Sequence, residues 1–190
     1  MPIFHIRAAK SFEAALRQLF TPAGLYFVYT PDADALATCY HTYTQAFVAN
    51  GATKALGVIS QADAGIVPYL SLRANLLING QTQPLDIIPA DLRRELPLLD
   101  GPATPLTPVQ ALYLQLFRGL FAGRQFLLMA DFPTSMTPPD KRYFLNVADK
   151  LVRQTGSSLI LLTQDQNLIT AHPDTSWWAA PTLTTTVQPN

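Results

Sequence analysis

Charge is scarce in this sequence. Lysine and arginine number 13, aspartate and glutamate 13, and together they are 14% of the 190 residues. The two signs cancel, which gives neither the basic footprint of a nucleic-acid binder nor attraction to an anionic membrane surface. So low a charged fraction also leaves the exterior with little to oppose association, which fits either a protein partner or a surface whose polarity comes from Thr, Gln, Asn and Pro. Cysteine is nearly absent: Cys39 stands alone, so no internal disulfide can form, and the expected compartment is a reducing cytosol. His5, His41 and His172 are scattered without ligand spacing, which argues for core or surface histidines and against a metal site. No apolar run is long enough to span a bilayer and no leader pattern opens the chain, so direct membrane insertion is not expected.

What is present is a substantial apolar share, 48%, in a chain long enough for one domain with a real core. Its organising stretch runs from Leu106 to Asp165. Phe126-Leu127-Leu128-Met129-Ala130 reads as a buried strand that presents Asp131 at its C-terminal tip, where open α/β sheets hold ligands. A helical pattern with Leu112, Leu116, Leu120 and Phe121 on one face precedes it. A Pro-rich turn follows, then a helix from Tyr143 to Thr155, then a second buried strand, Ser158 to Thr163, running into Gln164-Asp165. Helix, strand, helix, strand in that order is a parallel crossover unit.

From the start of the chain, Pro2 to Ile6 is a short strand candidate and Lys10 to Leu19 an amphipathic helix with Phe12, Leu16 and Leu19 on one side. Gly24 to Tyr29 is a buried strand that runs into the loop Thr30-Pro31-Asp32-Ala33-Asp34-Ala35-Leu36-Ala37-Thr38, with a helix through Tyr43 and Phe47 beyond it. Asp32 or Asp34 would cap that helix. Asn50 to Thr53 is a turn, and Ala55 to Ser60 a strand ending at Gln61. Between Asn79 and Pro105 the prolines 84, 89, 97, 102 and 105 leave room for one short helix, near Ala90 to Leu96. Cys39 fits a small core position. Trp177 and Trp178, in a tail rich in Thr and Pro, fit either an exposed docking patch or a cover for the last strand's edge.

These segments, in this order and spacing, resemble the nucleotide-binding subunits of ABC transporters. Thr30 to Thr38 stands where that family has its phosphate-binding loop GPNGSGKST, with Pro31 on its proline, Leu36 on its lysine, Ala37 on its magnesium-binding hydroxyl and Thr38 on its last threonine. Gln61 corresponds to the Q-loop glutamine, and Val67 to Leu76 is similar to the segment ending in TVRENL. Leu106-Thr107-Pro108-Val109-Gln110 corresponds to the signature LSGGQ, Phe117-Arg118-Gly119-Leu120 to the ARAL-like turn, Asp131-Phe132-Pro133-Thr134-Ser135 to DEPTS, and Thr163-Gln164 to the switch TH. The resemblance implies an α/β fold of the P-loop NTPase kind, a mostly parallel sheet flanked by helices. The antiparallel and helical subdomains would be reduced, all within one domain over residues 1–190. Residues 77–105 would be a reduced helical insertion facing the transporter, or a lid.

At the positions the resemblance marks, the chemistry is altered. Cradling phosphate takes glycines, a lysine and a hydroxyl for Mg²⁺. The loop from Thr30 to Thr38 has none of them where they are needed, and Asp32 and Asp34 would repel a phosphate by about 4 kcal/mol for a pair ~4 Å apart at an effective dielectric of ~20. Asp131 keeps the magnesium-side carboxylate, but Phe132 stands in place of the general base and cannot take a proton. Gln164 replaces the switch histidine and cannot carry its charge. In the signature, Leu106 and Gln110 remain while Pro108 and Val109 replace two glycines, which removes a donor and the close backbone approach. The expectation is a non-catalytic protein without cofactor or metal, acting as a subunit or regulator beside an ABC transporter's membrane subunit or a competent ATPase subunit. It would be cytoplasmic, at the inner face of the membrane. The other reading is a weak ATP-binding or ATP-hydrolysing subunit, with Mg²⁺ on Asp131 and Gln61.

Overall fold

A computed structural model of the protein describes residues 2–61, 64–95 and 106–183, the side chains of 2–6, 94 and 95 aside. Helix α1 spans Pro2–Leu19, so the strand expected over Pro2 to Ile6 is instead the first turns of this helix. Proline lacks only an N–H that the first helical turn does not use, and Arg7, Ala8, Ala9 and Lys10 are strong helix formers. Strand β1 (Leu25–Tyr29), helix α2 (Ala33–Ala49) and strand β2 (Leu56–Ile59) follow. Next come the short helices α3 (Leu72–Leu77) and α4 (Ala90–Glu95), then α5 (Pro108–Phe121) and β3 (Phe126–Ala130). Helix α6 (Pro138–Thr155), β4 (Ser158–Thr163), α7 (Gln166–Ala171) and the two-residue β5 (Ser176–Trp177) complete the order. The proline-rich stretch thus holds α4 and one 3-10 turn over Leu85–Ile87, while Leu96, Pro97, Pro102 and Pro105 lie outside the described residues.

Helix α6 begins five residues before the expected Tyr143. Pro138 and Pro139 occupy its first two positions, where no amide hydrogen is needed, and Thr137 with Asp140 forms a capping box ahead of the apolar face. What reads as a Pro-rich turn is therefore a helix start. The helix ends at Gly156, whose φ of 72° is the left-handed conformation that a side chain would disfavour.

The five strands lie in the order β2-β3-β4-β1-β5, and every pairing among the described residues is parallel. No strand among them supplies the reduced antiparallel part. Strand β3 sits between β2 and β4, with Leu127 opposite both Gly57 and Leu159. Alternation along each strand divides the core in two. One face carries Phe27, Leu127, Met129, Leu159 and Leu161 against α3 to α7. The other carries Tyr26, Val28, Phe126, Leu128, Ile160 and Leu162 against α1 and α2 through Phe12, Leu16, Tyr43 and Phe47. Runs that are apolar at every position are what a sheet covered on both faces requires. The tryptophans do not lie along β4, because β3 and β1 take both of its edges. Trp177 instead pairs with Val28 of β1 and packs on Phe20 and Tyr26, while Trp178 is 58% exposed beside Tyr29.

Candidate functional site

The parallel sheet brings its C-terminal tips into one row, in the order Gln61 after β2, Asp131 after β3, Thr163-Gln164 at β4 and Thr30 after β1. Neighbouring strands lie about 4.8 Å apart, so these residues form a compact ledge. Asp131 is its centre. Its backbone turns through a φ of 35°, a conformation that an Asp tolerates better than most side chains. One carboxylate oxygen accepts the amide of Phe132 at 2.7 Å, and the amide of Gln164 and hydroxyl of Thr163 approach at 3.4 Å. Gln61 Nε2 donates to the carbonyl of Asp131 at 3.1 Å. Sequence spacing therefore located three residues, Gln61, Asp131 and Gln164, that the fold assembles. The side chain of Gln61 is spent on backbone carbonyls.

Thr30 joins the ledge through its amide, which donates to Thr163 O at 2.9 Å. Its hydroxyl is buried with no partner among the described residues. Only Pro31 and Asp32 then separate it from α2, so the positions from Ala33 to Thr38 are already helical. This shortens the loop expected over Thr30 to Thr38 to three residues. Alanines at 33, 35 and 37 and Leu36 favour helix, and no glycine is present to hold an open loop. Asp32, at φ −151° and ψ 177°, is the N-cap, and its carboxylate accepts the amide of Ala35 at 2.7 Å. Asp34 lies in the first turn, where a carboxylate favours the helix dipole. Leu36 is half-buried against the α1–α2 core, whereas Ala37 and Thr38 are exposed.

Phe132, beside Asp131, is buried at 5% exposure. Its ring meets Phe144 edge-on at 5.8 Å, and the Lys141 ammonium lies 5.4 Å over it. The signature-like segment is likewise closed on itself. Thr107 caps α5 and accepts the amide of Gln110 at 3.2 Å, the Gln110 side chain accepts the amide of Thr107 at 2.9 Å, and Pro108 is the first helical residue. Leu106 is half-buried against the α3–α7 core. Leu106 and Pro108 meet Gln61, Pro133 and Thr134 around a cavity of about 370 Å³. Gln110 does not line it.

Sequence reading assigned no anchoring role to Gln115, Asn75 or Arg118, which hold the described residues after β2. Gln115, on the inner face of α5, accepts the amide of Ser60 at 2.8 Å and donates to its carbonyl at 2.9 Å. Asn75, fully buried in α3, accepts from the amide of Val67 and donates to the carbonyls of Val67, Leu70 and Ser71. Arg118 donates to the carbonyls of Asn75, Ala64 and Gly65 at 2.9–3.0 Å. An amide on an apolar helix face was the available signal, since a buried Gln or Asn must find partners. Among the described residues, no group of His, Cys, Asp and Glu is placed to hold a metal ion, and no helix is long and apolar enough to cross a membrane. Cys39 is half-buried rather than fully in the core, and burial pushes its thiol up to about 11.

No family model matches this chain, and no curated protein matches it in sequence. Solved structures do match. One is a dimeric ATP-binding cassette in a post-hydrolysis state with ADP and Pi, at 12% identity over 77% of this chain and 76% of that one, with a TM-score of 0.53. A second is an ATP-binding subunit of an ABC transporter, at 10% identity over 77% and 71%, TM-score 0.57. A third is a putative ABC transporter ATP-binding protein from Pyrococcus furiosus, at 11% identity over 75% and 78%, TM-score 0.52. At such identities it is the architecture that is shared: this chain has the α/β fold of ABC transporter ATP-binding subunits.

Proposed function

We propose that the protein is a non-catalytic relative of ABC ATPases that works by contact, as a subunit or regulator beside an ABC transporter component. The observation that carries this reading is the junction between β1 and α2. In a phosphate-binding loop, free amides turn toward an anion. Here the helix begins three residues after the strand, and the carboxylate of Asp32 takes the amide of Ala35. The residues do not fit a nucleotide: there is no lysine for the outer phosphates, and a carboxylate stands where the anion would be. Phe132 and Gln164 supply neither a base nor a charged switch. Thr107 and Gln110 spend each other's donors and acceptors across the start of α5.

The partner surface favoured is the segment from Gln61 to Asn75, whose described residues 64–75 are tied to α5 by Arg118, with Gln115 holding Ser60 just before it. Rigid placement lowers the ordering cost of docking. Nucleotide is not needed for it, so association with the membrane subunit or with a competent ATPase, at the cytoplasmic membrane face, proceeds with and without ATP. The test is thermal melting of the purified protein in millimolar MgATP, together with a sensitive phosphate-release assay. Any ligand that prefers the native state raises the melting temperature. No shift and no turnover are expected. Turnover abolished by Asp131→Asn would overturn the reading.

A further inference from the structure

On the face of the sheet covered by α3 to α7, a groove of about 490 Å³ opens over β1 between α6 and α7. Its size is ordinary for a small-molecule site. Leu25 and Phe27 of β1 and Leu145 of α6 form its bottom and are themselves buried, so the apolar surface open to a ligand is that of Leu168 in the six-residue α7 and of the exposed His172. Covering that side with an apolar body is favourable. The ring of His172, just past α7, stacks on Phe27 at 4.7 Å and 13° and gives the groove a flat aromatic wall.

The polar wall comes from Arg142, Asn146, Asp149 and Arg153, whose spacing puts them on one side of α6. Arg153 is oriented before any ligand arrives. Its Nε donates to both oxygens of Asp149 at 2.8 Å, and its guanidinium lies flat over Gly24, where a Cβ would come within 3.0 Å of Nη2. The pair with Asp149 uses Nε and leaves the Nη1–Nη2 edge without a hydrogen bond among the described residues. Arg142 likewise has no hydrogen bond or ion pair there. Two guanidinium groups against one carboxylate leave one positive charge in excess in the groove. A preset guanidinium edge suits a carboxylate or a similar planar oxyanion.

We propose that this groove binds a small amphiphilic organic anion, an apolar chain or ring bearing one carboxylate, with the anionic group on Arg153 and the apolar body against Leu168 and the ring of His172. The site lies on α6 and α7, apart from the strand-tip ledge, and is independent of any nucleotide.

Sodium decanoate titrated into the ¹⁵N-labelled full chain tests it. Saturable shifts are expected for the amides of Asn146, Arg153, Asn167 and His172 and for those of β1. Arg153→Gln should weaken binding at least tenfold. Lys150→Gln removes the same charge from the same helix but faces a different cavity, and should change affinity less than twofold. Ala171→Glu, at an exposed lining position, places a carboxylate in the groove and should abolish binding while leaving the fold intact. Absence of saturable shifts at millimolar decanoate, shifts scattered over the surface, or equal weakening by Arg153→Gln and Lys150→Gln would each overturn the proposal.

Discussion

Asp32 decides how α2 starts. Of the two carboxylates beside that helix end, only Asp32 makes the capping bond, so Asp32→Ala should cost about 1 kcal/mol in chemical denaturation and Asp34→Ala a few tenths. Equal losses from the two would contradict the capping assignment. Phe132 is a second residue whose role is packing. Replacing it with the glutamate of the DEPTS motif that this segment resembles buries a carboxylate against Phe144, and the loss should be about 3 kcal/mol or more, with no ATPase activity gained. Cys39 supplies a third test. Burial holds its thiol near 11, so at pH 8 it should react with iodoacetamide roughly a hundredfold more slowly than an exposed cysteine, and unfolding should abolish the difference. A reaction at the ordinary rate would show that the α2 face is open.

Between elements, β3 is held by close contact with both of its flanks. A Cβ at Gly57 of β2 would lie 2.6 Å from a methyl of Leu127, and a Cβ at Gly119 of α5 would lie 2.4 Å from the same methyl. Leu127 is fully buried, so its side chain has nowhere to retreat. Gly119→Ala should therefore cost about 1–3 kcal/mol, and measurably less in a Leu127→Val background that removes the obstructing methyl. Additive losses in that double-mutant cycle would mean that the glycine serves some other contact. The tight approach of α5 to β3 matters for the ledge, because it sets Gln115 against Ser60 and so aims Gln61 across the tip of Asp131.

Across the whole molecule, the sandwich expected of ATP-driven cassettes needs a phosphate loop on one subunit and an open signature on the other. In this chain both helix starts are occupied by their own side chains. The mass measured by light scattering should accordingly be the same with and without MgATP, and recovery with a transporter component from native cells should not depend on nucleotide. An ATP-induced increase in mass would refute this.

Much of this was legible in the sequence. Apolar runs of five or six residues bounded by polar ones are too short for buried helices and fit strands covered on both faces, so β1, β3 and β4, with Asp131 and Gln164 at the tips of β3 and β4, were found at or within a residue of their observed limits. The Asp-Ala-Asp-Ala pattern likewise announced a capped helix. Other features depended on tertiary context. Pro2 reads as the start of a strand and the Pro138-Pro139 pair as part of a turn until their place in a first helical turn is known, because proline's cost depends on whether its missing N–H had a partner to lose. The partners of Gln115, Asn75 and Arg118 lie 43–55 residues away or in irregular backbone, where no periodicity can signal them. The site of Trp177 followed from strand order, since β4 became an inner strand and β1 kept the edge that β5 covers. Sequence periodicity determined which buried segments are the strands β1 to β4 and what stands at their ends; only packing decided which of those ends meet.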